Sequence, residues 1–366
     1  MSAPFEYVFP AIRGIQAQRE YFVSMCPLTL IPKIFLFDEE ELVPELRAQR
    51  TINKGRIPEM TQYILDNPQG YAFSAITASV DGDLNFVPLP SANDVDERVG
   101  ILHVPMSAKF IINDGQHRRA AVEAALKENH DLGHESIAVV LFQDRGLKRC
   151  QQMFADLNRH AIRPSKSIGI LYDHRDERSE ITRLVVLKSE LFRDVVEMEK
   201  STLSRGSRKL FTLSAIYSAN RAFLQDGGGD DPEAQADRAR EYWEEVARHF
   251  RDWGLVRDRR ITAAEIRREF IHSHGVVLQA LGTAGRALVA RFPKSWKSKL
   301  KVLADLDWSR KNPFWEGRAL IGGRVSKSSQ NVTLTTNAIK NQLGLDLSAE
   351  ETRLEEAYQR GEHAKV

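Results

Sequence analysis

The chain has 366 residues, of which 42% are hydrophobic and 28% charged, with a formal net charge of +2. This length exceeds one compact core and predicts two domains, with room for a small appendage. No apolar stretch reaches the ~20 residues that span a bilayer, and Met1 to Pro10 lacks the pattern of a secretory signal. Two cysteines are too few for a disulfide framework or a cysteine zinc site. We therefore expect a cytoplasmic protein without a membrane partner.

Short apolar runs alternate with helical patterns over residues 1–165. Six segments carry the secondary-structure predictions that matter most: strands at Ile34 to Phe37, Tyr71 to Val80, Val99 to Val104, Lys109 to Ile112 and Ile137 to Phe142, and a helix at Pro58 to Leu65. Further helices are predicted at Arg119 to Lys127 and Leu147 to Asn158. The Asp-Gly turn after Val80 predicts that Val99 to Val104 pairs with Tyr71 to Val80. The result is a small α/β domain with mixed strands.

Helical periodicity dominates from Ser167 to Phe292. Thr262 and Glu265 form a capping-box pattern that predicts a helix running towards Leu281. Further on, the patterns predict a helix at Ser295 to Leu306, strand-like structure at Ala319 to Val325 and a last helix capped by Ser348. The fold class is therefore α+β, with domains at residues 1–165, 166–310 (helical, expected to bind DNA) and 311–366 (mixed).

The most informative segment is the hexapeptide at residues 114–119, Asp-Gly-Gln-His-Arg-Arg, between an apolar run and a helix. A strand, a tight glycine turn and a helix start leave several backbone N–H groups unpaired at one point, where the helix dipole is positive. This geometry binds phosphate or another anion. Gly115 permits close approach of the backbone, and Arg118 and Arg119 add guanidinium groups suited to phosphate oxygens. Gln116 and His117 add further hydrogen-bond donors.

Asp114 has several candidate roles within this turn. It is a candidate N-cap, and its carboxylate also suits a metal ion or the orientation of a water molecule. The alternative is that Asp114 only caps the helix and that both arginines are solvated. The hexapeptide in its strand–helix context favours a functional role.

Three basic clusters, at residues 145–166, 200–209 and 286–301, attract polyanions by neutralising phosphates. Solvated helix faces are the alternative for each cluster. Two segments are candidates for DNA contact: the basic loop before Phe211, with Arg205, Ser207, Arg208 and Lys209, and the lysines around Trp296, Lys294, Lys297 and Lys299. No clear helix-turn-helix spacing is present, so no recognition helix is assigned.

Asp114-Gly115-Gln116-His117-Arg118 resembles the signature of the DGQHR-domain proteins, which belong to the wider ParB/sulfiredoxin fold. Ala48-Gln49-Arg50 is similar to the Gln-Pro-Arg box of ParB-like proteins, and Leu157 to His160, followed by Pro164, is similar to their Asn-containing box. Two further segments, Phe9 to Gln16 and Pro44 to Arg50, resemble the DndB family of DNA sulfur modification proteins. The resemblance extends over most of the chain.

The resemblance implies a DNA-binding repressor of the genes for phosphorothioate modification. Its ParB relatives imply a bound nucleoside triphosphate, ATP or another, with Mg²⁺. By position, the implied phosphate-binding residues are Arg50, Gly115, Gln116, His117, Arg118 and Arg119, and the implied magnesium ligands are Asp156 and Asn158. The implied partners are double-stranded DNA, other DNA sulfur modification proteins and a second copy of the chain.

Departures from these relatives limit the chemistry. Sulfiredoxins carry a nucleophilic cysteine where this chain has Gln116, and an amide cannot perform thiolate chemistry. The ParB proteins carry an acid near this position, so their nucleotide preference does not transfer. Cys26 and Cys150 are predicted to be packed in the core, and no Cys-x-x-Cys pair or Walker-type loop is present, so sulfur insertion is not predicted.

Two alternatives to a repressor remain open. The first is a nucleoside triphosphatase, with or without DNA-nicking activity, that uses Asp114 and His117 as catalytic groups beside Arg118. The second is a scaffold whose helical half contacts the modification enzymes.

Overall fold

The computed structural model describes residues 5–35, 54–90, 96–144, 152–153, 156–157, 164–224 and 231–361. The chain divides into two compact units, Met1–Ile162 and Arg163–Val366. Each unit has its own hydrophobic core. Among the described residues, no helix is both long and apolar enough to cross a membrane.

The first unit is built on a seven-stranded sheet with the order β4-β5-β1-β2-β7-β3-β6. Its strands are β1 (Glu6–Gln16), β2 (Arg19–Pro27), β3 (Ile76–Asp81), β4 (Asn85–Pro88), β5 (Val99–Pro105), β6 (Lys109–Asp114) and β7 (Ser136–Gln143). Its helices are α1 (Ile31–Ile34), α2 (Ile57–Asp66) and α3 (Gln116–Glu128). Among the described strands of this sheet, only β3 and β7 pair in parallel, so the sheet is mixed, as predicted.

Side chains alternate between the two faces of this sheet, as the period of a strand requires. In β1, Phe9 and Ala11 are buried in the core, whereas Val8 and Ile12 are exposed. Helix α3 packs against α1 and α2. The core is therefore formed between one face of the sheet and the helices.

Several element predictions in this unit are confirmed, including the helix at Pro58 to Leu65, the strands at Lys109 to Ile112 and Ile137 to Phe142, and the helix that follows Arg118. The strand predicted at Ile34 to Phe37 is wrong at its described end, because Ile31–Ile34 is a short helix with a proline in its first turn. Most of the helix predicted at Leu147 to Asn158 lies outside the described residues.

The predicted pairing of Val99 to Val104 with Tyr71 to Val80 is also wrong. Strand β3 begins only at Ile76 and pairs with β6 and β7, while β5 pairs with β1 and β4. The Asp-Gly turn does connect β3 to a strand, but this strand is β4, which joins the sheet beside β5 instead of beside β3. Such non-local pairing depends on the packing of both faces and leaves no mark in the turn sequence.

The second unit is mainly helical. Its helices are α4 (Lys166–Tyr172), α5 (Glu177–Lys188), α6 (Leu213–Phe223), α7 (Pro232–Arg248), α8 (Arg251–Arg257), α9 (Ala263–Glu269), α10 (Gly275–Arg291), α11 (Trp296–Lys299), α12 (Ser329–Gln342) and α13 (Ala349–Gln359). It also has two pairs of two-residue strands. Strand β8 (Val196–Glu197) pairs in parallel with β9 (Phe211–Thr212), and β10 (Leu320–Ile321) pairs antiparallel with β11 (Arg324–Val325).

Helix α10 is the centre of the second core and packs against α6 and α12. Close helix packing there requires glycine, since a Cβ at Gly282 would lie 2.3 Å from the Ala219 carbonyl oxygen. Trp243 and Trp253 are almost fully buried. The same core includes Ala338 of α12, so the end of the chain packs with the helical region.

The predicted capping box of Thr262 and Glu265 is confirmed, and so is the cap of the last helix by Ser348. The helix that follows Thr262 ends at Glu269, however, and a separate helix begins at Gly275, so the prediction of one helix towards Leu281 is wrong. Residue Phe270 forms an isolated β-bridge with Ser309, which accounts for the interruption.

Candidate phosphate-binding turn and basic surfaces

The turn at residues 114–118 connects β6, which ends at Asp114, directly to α3, which begins at Gln116. Gly115 lies between them in the left-handed region with φ of +110°. A Cβ at this position would lie 3.0 Å from Ile76 and 3.1 Å from the Arg118 guanidinium. Only glycine combines this backbone angle with such close neighbours. The N-cap of α3 is Gly115 and the Asp114 carboxylate accepts from Arg118, so the prediction that Asp114 caps this helix is wrong.

The guanidinium of Arg118 folds back over the turn. Its Nη2 donates to the Asp114 carboxylate at 2.7 Å, and its Nη1 donates to the Ser74 hydroxyl. Its Nε is buried and has no hydrogen-bond partner among the described residues. Asp114 therefore neutralises Arg118 internally, and the buried Nε–H is left without an acceptor among the described residues.

His117 lies in the first turn of α3 and is half-buried. Burial, followed by the charges of Arg56 and Arg118, lowers the pKa of His117, and Asp114 opposes the shift. Arg56, whose own side chain is exposed, is therefore close to this turn; it precedes the first residue of α2. A neutral imidazole and two guanidinium groups thus lie at the start of α3.

Arg119, although adjacent in sequence, performs a different task. It is 9% exposed, and its guanidinium donates to the carbonyl oxygens of Pro32 and Phe35 and to Glu123. These contacts fix the segment of α1 against α3. Arg119 therefore supports the turn, and its guanidinium is hydrogen-bonded to acceptors within the protein.

Gln116 also turns back to the protein, since its amide donates to the Ile112 carbonyl oxygen at 3.2 Å. Met153, three residues before Asp156, lies beside the end of β6, because the buried Asn113 amide donates to its sulfur at 3.1 Å. Asp156 accepts from Gln152 at 2.7 Å.

Two of the predicted site residues, Arg50 and Asn158, lie outside the described residues. Within the described part of the chain, no group of three His, Cys, Asp or Glu side chains converges as a metal site would require.

The basic loop of residues 205–209 is fixed in place by Arg267 of α9. This guanidinium donates to the carbonyl oxygens of Ser204 and Ser207 at 2.9–3.2 Å. The Ser207 hydroxyl accepts from the Lys209 backbone N–H, and Lys209 Nζ donates to the Asp194 carbonyl. Arg205 and Arg208 are exposed, with no ion pair among the described residues.

The lysines around Trp296 are more strongly engaged. Lys297 forms an ion pair with Glu241 at 2.5 Å and lies over the Trp296 ring, and Lys299 lies 4.0 Å above the Phe292 ring. Trp296 itself packs against the helical core. Lys294 is exposed. The predicted DNA-contact lysines therefore include one that is already paired with an acid.

The comparisons with known proteins give one result. The family model of DndB, described as DNA-sulfur modification-associated, matches residues 9–346. The chain belongs to the DndB family. A search of curated proteins and a search of solved structures found no match. The DndB model covers both units, and membership places this protein in DNA sulfur modification.

Sulfur chemistry through Cys26 is not supported in this DndB-family chain. Cys26 is fully buried in β2, and burial raises the pKa of its thiol to about 12. The predicted burial of Cys26 is confirmed, whereas Cys150 lies outside the described residues. A thiol with so high a pKa is protonated at neutral pH and is a poor nucleophile.

Sequence reasoning missed Arg56 and Ser74 as members of the turn. Arg56 carries a weak signal, because a basic residue two positions before Pro58 lies at a predicted helix start. Ser74 carries no signal, since its contact with Arg118 spans 44 residues.

Proposed function

We propose that this DndB-family protein is a DNA-binding regulator of DNA sulfur modification that binds the phosphates of a nucleotide at the turn of residues 114–118. The observation that carries the proposal is the start of α3. There a left-handed glycine, Arg118 and the nearby Arg56 leave positive charge beside uncapped backbone N–H groups. Donors of this kind bind phosphate oxygens at short range.

The residues of the turn have distinct tasks in this proposal. The backbone after Gly115 provides N–H donors, and Arg118 provides the positive charge of its guanidinium beside them. Arg56, which is exposed, adds a second guanidinium group near His117. Arg119 is left out of the phosphate contacts, because its N–H groups already have protein acceptors. It supports the turn from behind.

DNA contact is assigned to the loop of residues 205–209. Arg267 holds the loop backbone, so ordering it on DNA costs little conformational entropy. Arg205 and Arg208 have exposed guanidinium groups that suit phosphate oxygens. Lys294 is a further candidate, and Lys297 and Lys299 contribute less because they are engaged within the protein.

The experiment measures DNA affinity and nucleotide affinity on the same preparations of three proteins: wild type, Arg118→Ala and the double variant Arg205→Ala/Arg208→Ala. Promoter DNA from its own modification genes is titrated at two salt concentrations. We expect Arg118→Ala to weaken nucleotide binding about tenfold, and the double variant to weaken DNA binding and reduce its salt dependence. Wild-type affinities in all three proteins would contradict both assignments.

A nucleoside triphosphatase is the second candidate, favoured by the lowered pKa of His117. The lowered pKa keeps the imidazole unprotonated at neutral pH, which a proton acceptor requires, while the two guanidinium groups make it a weaker base. Phosphate release by wild type that His117→Asn abolishes, with nucleotide affinity retained, would support this candidate. Absence of phosphate release in both proteins would favour the regulator alone. Arg119→Lys is not a useful control here, since it disturbs the support of the turn.

A further inference from the structure

A second positively charged recess lies within the helical unit, at the start of α10. The cavity has a volume of about 300 Å³. Its lining includes residues from β9, from α9, from the turn into α10 and from the segment before α12: Thr212, Arg267, Ser273, His274, Gly275 and Lys327. The lining contains two cationic side chains and no carboxylate.

Lys327 occupies an electrostatically unfavourable position in this recess. Its Nζ lies 3.4 Å from the point where a Cβ of Gly275 would stand, so the ammonium group faces the first residue of α10. The N-terminus of a 17-residue helix carries partial positive charge, and a cation there is destabilising. Burial and the charge of Lys166 lower the pKa of Lys327. No carboxylate pairs with Lys327 among the described residues. An anion between this ammonium group and the helix would offset both the charge of Lys327 and the partial positive charge of the α10 N-terminus.

The polar groups at this helix start are incompletely satisfied. The N-cap residue His274 makes no side-chain hydrogen bond to the first turn of α10. Ser273 is 4% exposed, and its buried hydroxyl has no partner among the described residues. A buried hydroxyl without a partner costs about 1–3 kcal/mol in general. Helix α6, whose start lines the same recess, differs because Thr212 caps it.

The side chain of His274 adds no charge to the recess. The ring of His274 contacts the Arg267 carbonyl oxygen and Arg310, each at 3.0 Å. Burial is the main cause that lowers the pKa of His274 to about 4. His274 is therefore neutral at physiological pH, and the charge of the recess comes from Lys327 and Arg267.

We propose that this recess binds a phosphate group through the first-turn N–H groups of α10, the ammonium group of Lys327 and the Ser273 hydroxyl. A phosphate matches these donors in charge and in its number of acceptor oxygens. The site is separate from the turn of residues 114–118, and the inference does not depend on the proposed function. A free phosphate ester or inorganic phosphate is one source of this group, and the DNA backbone is the other.

The test uses the thermal unfolding of the full chain, followed by tryptophan fluorescence, with sodium phosphate added at constant ionic strength against sodium chloride. All five tryptophans lie between residues 243 and 315, so this signal reports the helical unit and not the turn of residues 114–118. A ligand that binds only the folded state raises the unfolding midpoint in proportion to its occupancy. We expect phosphate to raise the midpoint of wild type, and Lys327→Gln to weaken phosphate binding at least about tenfold.

Three further variants keep the result interpretable. Lys188→Gln removes the same charge from an exposed lysine of α5 and should retain the full phosphate response. Ser273→Ala should unfold at the wild-type midpoint or above it without phosphate, yet respond less to phosphate. Gly275→Asp places a carboxylate beside Lys327; it should raise the midpoint without phosphate and abolish the response.

A duplex titration at constant salt distinguishes the two sources. If phosphate does not stabilise wild type but Lys327→Gln weakens duplex binding more than Lys188→Gln does, the site takes a backbone phosphate. If phosphate stabilises wild type and the two lysine variants bind duplex equally, the site takes a free anion. Equal behaviour of the two lysine variants towards both phosphate and duplex would overturn the inference.

Discussion

The starts of α3 and α10 resemble each other in three respects and differ in one that matters. Both helices begin at or next to a glycine, both lack a side-chain cap, and both have a cation close to the first turn. At α3 the cation, Arg118, is paired with Asp114, whereas at α10 no carboxylate of the described residues pairs with Lys327. An anion at α3 must therefore compete with an internal carboxylate, while an anion at α10 meets uncompensated charge.

The two helix starts also differ in their backbone angles and in the arginine contacts that support them. Gly115 is required by a left-handed backbone angle, whereas Gly275 has no such angle and leaves room beside Lys327. The start of α3 is also braced by Arg119, whereas Arg267, the arginine that lines the recess, holds the loop of residues 205–209. Each of these contrasts can be tested separately.

The largest effect is expected for Arg119→Met, which removes the brace of the α3 start. The carbonyl oxygens of Pro32 and Phe35 lose their donor, and Glu123 loses its ion pair. We expect a loss of about 3 kcal/mol in the free energy of unfolding of the first unit. Hydrogen exchange of peptides from β5, β6 and α3 measures this loss. Glu123→Gln is the control and should cost less than about 1 kcal/mol.

The next effect compares the two glycines. Gly115→Ala forces a Cβ into a left-handed angle and against Ile76, so we expect a loss of about 1–2 kcal/mol. Gly275→Ala meets only ordinary contacts and should leave stability unchanged or raise it by about 0.5 kcal/mol. The first variant is followed by hydrogen exchange, the second by tryptophan fluorescence. Equal costs in both would show that the two helix starts are alike in their backbone demands.

A third effect concerns the internal anion at α3. Asp114→Asn removes the charge that neutralises Arg118, so affinity for a magnesium-free fluorescent nucleotide should rise about fivefold. This increase is expected only if Asp114 acts by compensation. A decrease in affinity would instead indicate that the carboxylate helps to hold the nucleotide.

The smallest effect is a pH dependence that should occur at α3 and not at α10. His117 has a lowered pKa, so it is neutral at pH 7.5 and gains a proton only as the pH falls below 6.5. The added charge should raise the affinity of the turn for sulfate about two- to fourfold between pH 7.5 and 5.5. Sulfate is the probe because it does not titrate in this range. The protein with wild-type His117 and the His117→Asn variant both carry Lys327→Gln, which removes anion binding at the recess. His117→Asn should abolish the rise; persistence of the rise in that variant would assign it to another group.

The sequence predicted much of the α3 start because its signals are local. A strand pattern, a glycine and an alanine-rich helix are adjacent in the chain, and each reflects short-range backbone preference. The chemical difference between Arg118 and Arg119 was not predictable. Two neighbouring arginines have the same intrinsic chemistry, and their tasks diverge because α1 and the segment around Ser74 meet different faces of α3.

By itself, the sequence determined the division into a mixed-sheet unit and a helical unit, the capping boxes at Thr262 and Ser348, and the resemblance that led to the family. Tertiary structure alone decided that β3 pairs with β6 and β7, that Arg56 approaches His117 and that Lys327 faces the start of α10. The physical reason is distance along the chain. Caps and helix patterns act within a few residues, whereas strand pairing and charge placement depend on packing between segments far apart in sequence.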